Sequence, residues 1–252
     1  MFTSERHEII KEMLIEQGKV SVKDLSEKFS LSEDAIRKDL RKMEQEGILK
    51  RVYGGAILKE AKYIRNVDER KDVNADAKKE IAQKAYDLIE AGDTIFLDIS
   101  TTNIYLAKLL FNGKKNCFIV SNMIEILQIL AGNAQLTIIG TGGTVNKELN
   151  GFVGTMTMDV VKNYHFDKAF LGTLGISKAF DKFTTFDMDD GFVKKMVIEH
   201  SEETYVMMDH TKFYQQGSYH YASLQEATCI ITDSQLDASI QRKLKTQKIQ
   251  YC

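Results

Sequence analysis

Residues 92–103 read GDTIFLDISTTN. Thr94–Asp98 is a short apolar run rich in β-branched and aromatic residues, which predicts a buried strand entered through a turn at Gly92-Asp93. After Asp98 come Ile99-Ser100-Thr101-Thr102-Asn103 and an apolar helical pattern through Leu110. Hydroxyls and free backbone N–H groups at a strand-to-helix junction make an anion site, because the helix N-terminus carries partial positive charge. Plain capping of the helix by Ser100 or Thr101 accounts for the same residues without a ligand.

Working outward, five more apolar runs follow: Cys117–Val120, Leu136–Gly140, Lys168–Gly172, Thr204–Asp209 and Thr228–Thr232. Helical patterns such as Met123–Leu130 and Gly191–Glu199 lie between them. This alternation predicts a Rossmann-like α/β domain over residues 75–252 with a mainly parallel sheet. Ligands of such sheets bind outside the carboxyl ends of the strands. The residues expected there are Asp98, Ser100, Thr101, Thr102, Asn103, Ser121, Asn122, Gly142, Gly143, Gly172, Asp209 and Lys212, with one of Lys194 and Lys195 from a nearby helix. Tight turns explain the glycines equally well, and a surface position explains the lysines.

Composition narrows the classes. The chain has 252 residues, enough for one large or two smaller domains, and 43% are hydrophobic and 28% charged, an ordinary globular balance. No apolar run approaches the roughly 18 residues of a membrane span, and the N-terminus has no apolar core like that of a secretory signal. The expected location is therefore the cytoplasm, with no membrane partner. Cys117, Cys229 and Cys252 lack metal-ligand spacing, their number and the chain's size rule out a disulfide framework, and they are expected to be buried or incidental. The histidines form no metal pattern, and no GxSxG, Walker A or GxGxxG motif occurs. No metal and no cofactor are expected. A net charge of −2 does not advertise a nucleic-acid partner.

Local charge does. Residues 1–58 read as three short helices and a hairpin, and the charged stretch 59–74 as a linker. Ile9, Ile10, Met13 and Leu14 give the first helix an apolar face, ended by Gly18. Ser21, with Asp24 three residues on, starts a second helix as a capping box. Ser32 caps a third, Glu33–Glu46, stopped by Gly47. Ile36, Leu40 and Met43 face inward, which leaves Arg37, Lys38 and Arg41 on the outer face, as a major-groove helix requires. Ile48–Val52 and Ala56–Leu58 form a hairpin through Tyr53-Gly54-Gly55, carrying Lys50, Arg51 and Tyr53. Arg37–Arg51 holds 6 Lys/Arg and 3 Asp/Glu, although residues 1–58 balance at 11 against 11. A solvated basic face is the alternative to DNA binding.

The stretch ERHEIIKEMLIEQGKVSVKDLSEKFSLSEDAIRKDLRKMEQEGILKRVYGGAIL closely resembles the winged helix-turn-helix domain of the DeoR family of bacterial transcriptional regulators. Ser32–Leu40 resembles that family's recognition helix, and Arg51–Ala56 its wing. Residues from about 78 onward resemble the family's sensor domain, which is related to ribose phosphate isomerases and coenzyme A transferases. Asp98, Ser100, Thr101 and Thr102, the turn Gly142-Gly143, Asp167–Gly172, Lys194, and Asp209, Lys212 and Phe213 match its motifs. The resemblance implies a regulator, in most cases a repressor. It implies operator DNA, a phosphorylated sugar or related metabolite, and a second copy of the chain, in a dimer or tetramer, as partners. Ser100 stands where many relatives have glycine, Leu174 and Ser177 where many have aspartates, and Phe192 where glutamate is usual. Leucine cannot move a proton and serine is a poor base at neutral pH. The other reading, a sugar phosphate isomerase-like enzyme with a DNA-binding appendage, loses its acid–base groups there, and no catalytic residue is expected.

Overall fold

The computed structural model describes residues 2–46, 48–58 and 66–252. The chain divides into two compact units, Met1–Lys62 and Tyr63–Cys252.

The first unit runs α1 (Thr3–Gln17), β1 (Lys19–Ser21), α2 (Val22–Phe29), α3 (Glu33–Gln45), β2 (Leu49–Val52) and β3 (Gly55–Leu58). α1 stops at Gly18, whose φ of 71° and N–H bond to the Leu14 carbonyl make a left-handed cap. The chain then forms β1, which pairs antiparallel with β3. That strand was not expected, because three residues are too few to show a period. Ser21 caps α2 by accepting the Asp24 N–H, so the hydroxyl half of the expected box is present. Ser32 likewise accepts the Ala35 N–H. Gly47, expected to end the third helix, lies outside the described residues. The hairpin turn is Tyr53-Gly54, with Gly54 at φ 79°. Gly55 belongs to β3, where a Cβ would lie 2.0 Å from the Val20 carbonyl oxygen. Ile10, Leu14, Leu25, Ile36, Leu40 and Met43 fill the core between the helices.

The second unit runs α4 (Val67–Arg70), α5 (Ala75–Leu88), β4 (Thr94–Leu97), α6 (Thr101–Asn112), β5 (Phe118–Ser121), α7 (Ile124–Leu130) and β6 (Thr137–Gly140). A hairpin β7 (Thr144–Asn146) and β8 (Gly151–Val153) and helix α8 (Thr155–Val161) follow. Then come β9 (Phe166–Gly172), β10 (Gly175–Ile176), β11 (Lys182–Thr185), α9 (Met188–Glu199), β12 (Ser201–Met207), β13 (Tyr219–Ser223), β14 (Cys229–Ile231) and α10 (Ala238–Thr246). The six apolar runs read from the sequence are the six strands of one sheet, in the order β14-β12-β9-β4-β5-β6. Every neighbouring pair in it is parallel. A small antiparallel sheet, β10-β11-β13, was not anticipated.

From β4 the chain winds outward to β5 and β6, and later from β9 outward to β12 and β14. The direction of winding reverses between β4 and β9, which opens a crevice at their carboxyl ends.

The expected linker 59–74 needs correction. Residues 59–65 lie outside the described residues, but 66–74 pack on the second unit. Asn66 caps α4, Val67 is 1% exposed in the core, and the Val67 N–H bonds to the Glu148 carbonyl at 2.9 Å. Asn74 Nδ2 donates to Asp209 Oδ1 at 3.1 Å. One buried residue in a charged stretch is too weak a signal for periodicity to find.

Candidate functional site

Two surfaces carry chemistry. On the first unit, the pattern Ile36, Leu40, Met43 buries one face of α3 and leaves Arg37, Lys38 and Arg41 exposed on the other. Lys50, Arg51 and Tyr53 are exposed on the β2–β3 hairpin, and Ser32 sits at the N-cap of α3. The cations are not all loose. Arg37 donates to Glu33 at 2.5 Å and to Asp34 at 3.0 Å, both on its own helix. Arg51 Nε donates to Glu44 Oε2 at 2.7 Å, and its N–H to Oε1 at 2.8 Å, which ties the hairpin to α3. Asp39 anchors the helix from behind, accepting from Arg6 Nε at 2.6 Å. Burial raises the Asp39 carboxyl, but the Arg6 and His7 contacts outweigh it and hold the group below its ordinary value. Sequence reading missed this anchor.

The second surface is the crevice at the carboxyl ends of β4 and β9. It is lined by Ser100, Gly172, Thr173, Thr185, Asp190, Lys194, Lys212 and Arg70, with Ile99, Leu149, Leu174 and Phe186 as apolar wall. The space it holds is about 20 Å³, room for about one water, and the rest of the crevice opens to solvent. Ser100 caps α6, its Oγ accepting the Thr102 N–H at 3.2 Å, so the N-terminus of α6 points at this end of the sheet. Gly172 is required by close packing, since a Cβ there would lie 2.6 Å from the Ser100 Cβ.

Asp98 lies behind the cleft, fully buried. One carboxylate oxygen accepts the Gly172 N–H at 2.9 Å and the Lys194 ammonium. Lys194 also meets Asp190 at 2.9 Å, and Asp190 accepts from the Thr185 hydroxyl at 2.8 Å. Burial pushes the Asp98 carboxyl up to about 6, with the Lys194 charge limiting the rise. Burial opposes the charge of Lys194 as well, but Asp190 and Asp98 overcome it and hold the ammonium above its ordinary value. Lys212 donates to the Thr173 carbonyl at 2.8 Å, and burial pulls its ammonium down to about 8. Lys78, on α5, is likewise pulled down to about 8 by burial and by the Lys212 charge.

Of the expected ligand residues, Ser100, Gly172, Lys194 and Lys212 line the cleft, and Thr101 and Thr102 are buried in the first turn of α6. Asn103 and Ser121 hold the strand ends together. The Asn103 amide donates to the Asp98 and Phe170 carbonyls at 2.9 and 2.8 Å, and the Ser121 hydroxyl to the Leu97 carbonyl at 2.7 Å. Asn122 Nδ2 donates to the Phe152 carbonyl at 3.2 Å. Gly142 and Gly143 take φ values of 62° and 122° in the turn before β7, which a non-glycine residue would strain. Asp209 caps the turn that carries Lys212 and accepts from Asn74. Sequence reading missed Arg70 and Asp190. Asp190 was legible as the i−4 partner of Lys194 on one helix face, whereas Arg70 was hidden in the supposed linker. Leu174 is part of the apolar wall, and the Ser177 hydroxyl donates to Asp181 at 2.6 Å within its own turn, so neither position offers a proton-transfer group.

Comparison with known proteins identifies both units. Residues 6–62 match the DeoR-like helix-turn-helix domain and residues 73–234 the DeoR C terminal sensor domain. The uncharacterized HTH-type transcriptional regulator YulB of Bacillus subtilis is 32% identical over 99% of this chain and 96% of its own. The glycerol-3-phosphate regulon repressor of Escherichia coli is 30% identical over 99% and 98%. The HTH-type transcriptional repressor GlcR of Bacillus subtilis is 30% identical over 92% and 89%. These relatives are regulators rather than enzymes. With both domains in order along one chain and relatives matched almost end to end, the chain belongs to the DeoR family of DNA-binding transcriptional regulators.

Proposed function

We propose that this regulator represses an operon of sugar or carbohydrate metabolism and leaves its operator when a phosphorylated sugar binds in the cleft of the second unit. The observation that carries the reading is the convergence of Arg70, Lys194 and Lys212 with the α6 cap at Ser100, with Asp190 as the one carboxylate of the lining. A phosphate ester matches a lining of three cations, of which Lys194 is paired with Asp98 and Asp190, and the helix N-terminus supplies further donors. Asp98, Thr101 and Thr102 shape the floor, and Asp209 positions Lys212. Asn103, Ser121, Asn122, Gly142 and Gly143 hold the strand ends and turns around it. At the other surface, Arg37, Lys38 and Arg41 enter the major groove while Ser32, Lys50, Arg51 and Tyr53 contact the backbone. Two copies of the chain, in the cytoplasm, read half-sites about 34 Å apart, so a change in their separation is enough to lose paired binding.

The test is binding of the full chain to DNA from its own upstream region, titrated with a panel of sugar phosphates. Tight, salt-sensitive binding released by one ester is expected. Binding that no ester alters overturns the sensing half of the proposal. Replacing Thr101 and Thr102 by Val should keep operator affinity and remove the release.

A further inference from the structure

Cys229 and Cys252 are 23 residues apart and share no motif spacing, yet the fold sets their Sγ atoms 3.8 Å apart. Residues 250–252 run alongside β14 in parallel. The Ile230 N–H bonds to the Gln250 carbonyl at 2.9 Å, the Cys252 N–H to the Ile230 carbonyl at 3.0 Å, and the Thr232 N–H to the Cys252 carbonyl at 2.9 Å. Tyr251 therefore sits opposite Ile230, and strand alternation puts Cys229 and Cys252 on the same face. Cys252 is exposed and Cys229 half-buried, so reagents in water reach the pair, whereas Cys117 is buried. Forming an S–S bond of about 2.05 Å needs the sulfurs to close by under about 2 Å, within the reach of side-chain rotation and small backbone shifts.

We propose that Cys229 and Cys252 form an oxidation site, in which a hydroperoxide converts the two thiols to an intrachain disulfide. The Cys252 thiolate attacks the peroxide, the O–O bond breaks, and Cys252 becomes a sulfenic acid with release of hydroxide from hydrogen peroxide or of the alkoxide from an organic hydroperoxide. The Cys229 thiol then attacks that sulfur, the S–O bond breaks, and water leaves as the disulfide forms. Two thiols are oxidised and one peroxide is reduced. The Cys229 hydrogen bond and the Lys84 charge lower the Cys252 thiol against the opposing effect of burial, while the same hydrogen bond and burial raise Cys229, which makes Cys252 the sulfur that attacks first. The bond would fasten residues 250–252 to β14, the outermost strand of the main sheet.

The test treats the reduced full chain with hydrogen peroxide, quenches with catalase, and counts thiols after denaturation. The count should fall from three to one, and dithiothreitol should restore it. Peptide mapping without reductant should recover Cys229 joined to Cys252. In Cys229→Ser, dimedone should label Cys252 and the intrachain bridge should be missing. Three thiols remaining in the treated wild-type chain, or bridges found only between different chains, would overturn the proposal.

Discussion

Arg37 on α3 and Lys194 on α9 are the same chemical arrangement in two settings. Each is a cation facing two carboxylates, one of them four residues earlier on its own helix: Glu33 for Arg37, Asp190 for Lys194. The Arg37 side chain is 51% exposed and the Lys194 side chain 3%. Water competes for the first group, so its ion pairs hold it weakly and a base edge can displace the carboxylates. Water is excluded from the second, and separating its members leaves charges buried without partners. One arrangement is suited to exchanging partners and the other to fixing a site in place.

The largest expected effect tests the second half of that contrast. Lys194→Met should destabilise the protein by about 3–5 kcal/mol, because Asp98 and Asp190 stay buried without their cation. Urea unfolding followed by circular dichroism measures it. Adding Asp98→Asn to the same chain should recover part of the loss, since one of the stranded charges is gone. A single-variant loss below about 1 kcal/mol would mean that water reaches the group after all and that the contrast is false.

Arg37→Ala tests the other half. Stability should barely change, while discrimination between operator and mismatched DNA should fall by about 1–3 kcal/mol. Anisotropy titrations at several salt concentrations separate the outcomes. If discrimination survives and only the salt slope shrinks, Arg37 meets a phosphate and the release of its carboxylates serves affinity alone.

The same physics sets what the sequence could reveal. All six strands of the parallel sheet were legible, because each reads as a short apolar run, the half-exposed edge strand β6 included. The caps at Ser21, Ser32 and Ser100 were legible, because capping is local. The cleft was legible at the strand ends, at Ser100 and Gly172, and at the lysines Lys194 and Lys212. Asp190 follows from the i−4 spacing to Lys194 on α9, but Arg70 reaches the cleft from α4 and no spacing in the chain announces it. The approach of Cys229 to Cys252 was hidden for the same reason: it depends on where residues 250–252 lie, a tertiary fact.

Effects of pH compare the cleft with the surface more gently. Burial holds Lys78 and Lys212 near 8, below the ordinary lysine value, so in the native state their charged forms are disfavoured. Between about pH 8 and 9 the unfolded chain binds more protons than the native one, and the ligand-free protein should gain stability as pH rises. Anion binding should move the opposite way, because a neutral Lys212 attracts no phosphate. Once Lys212 titrates, affinity for an effector ester should fall up to tenfold per pH unit, read by calorimetry. Operator binding through the exposed arginines should not share this dependence. A cleft affinity flat from pH 7 to 9.5 would take Lys212 out of the anion contacts.

The smallest effect expected is at the cap of α6. Ser100 holds the Thr102 N–H as Ser32 holds the Ala35 N–H, but only Ser100 also lines the cleft. Glycine is nearly as good an N-cap as serine, so Ser100→Gly should cost only a few tenths of a kcal/mol of stability. Backbone N–H groups of α6 remain in place to face an anion, and the release of operator by the ester should persist at slightly higher ester concentration. Loss of the response in Ser100→Gly, with folding intact, would show that the hydroxyl itself contacts the ligand. The cap would then be a binding group whose worth lies in the ligand rather than in the helix, and Ser32→Gly, by the same measurement on DNA, would show whether the other cap has been used the same way.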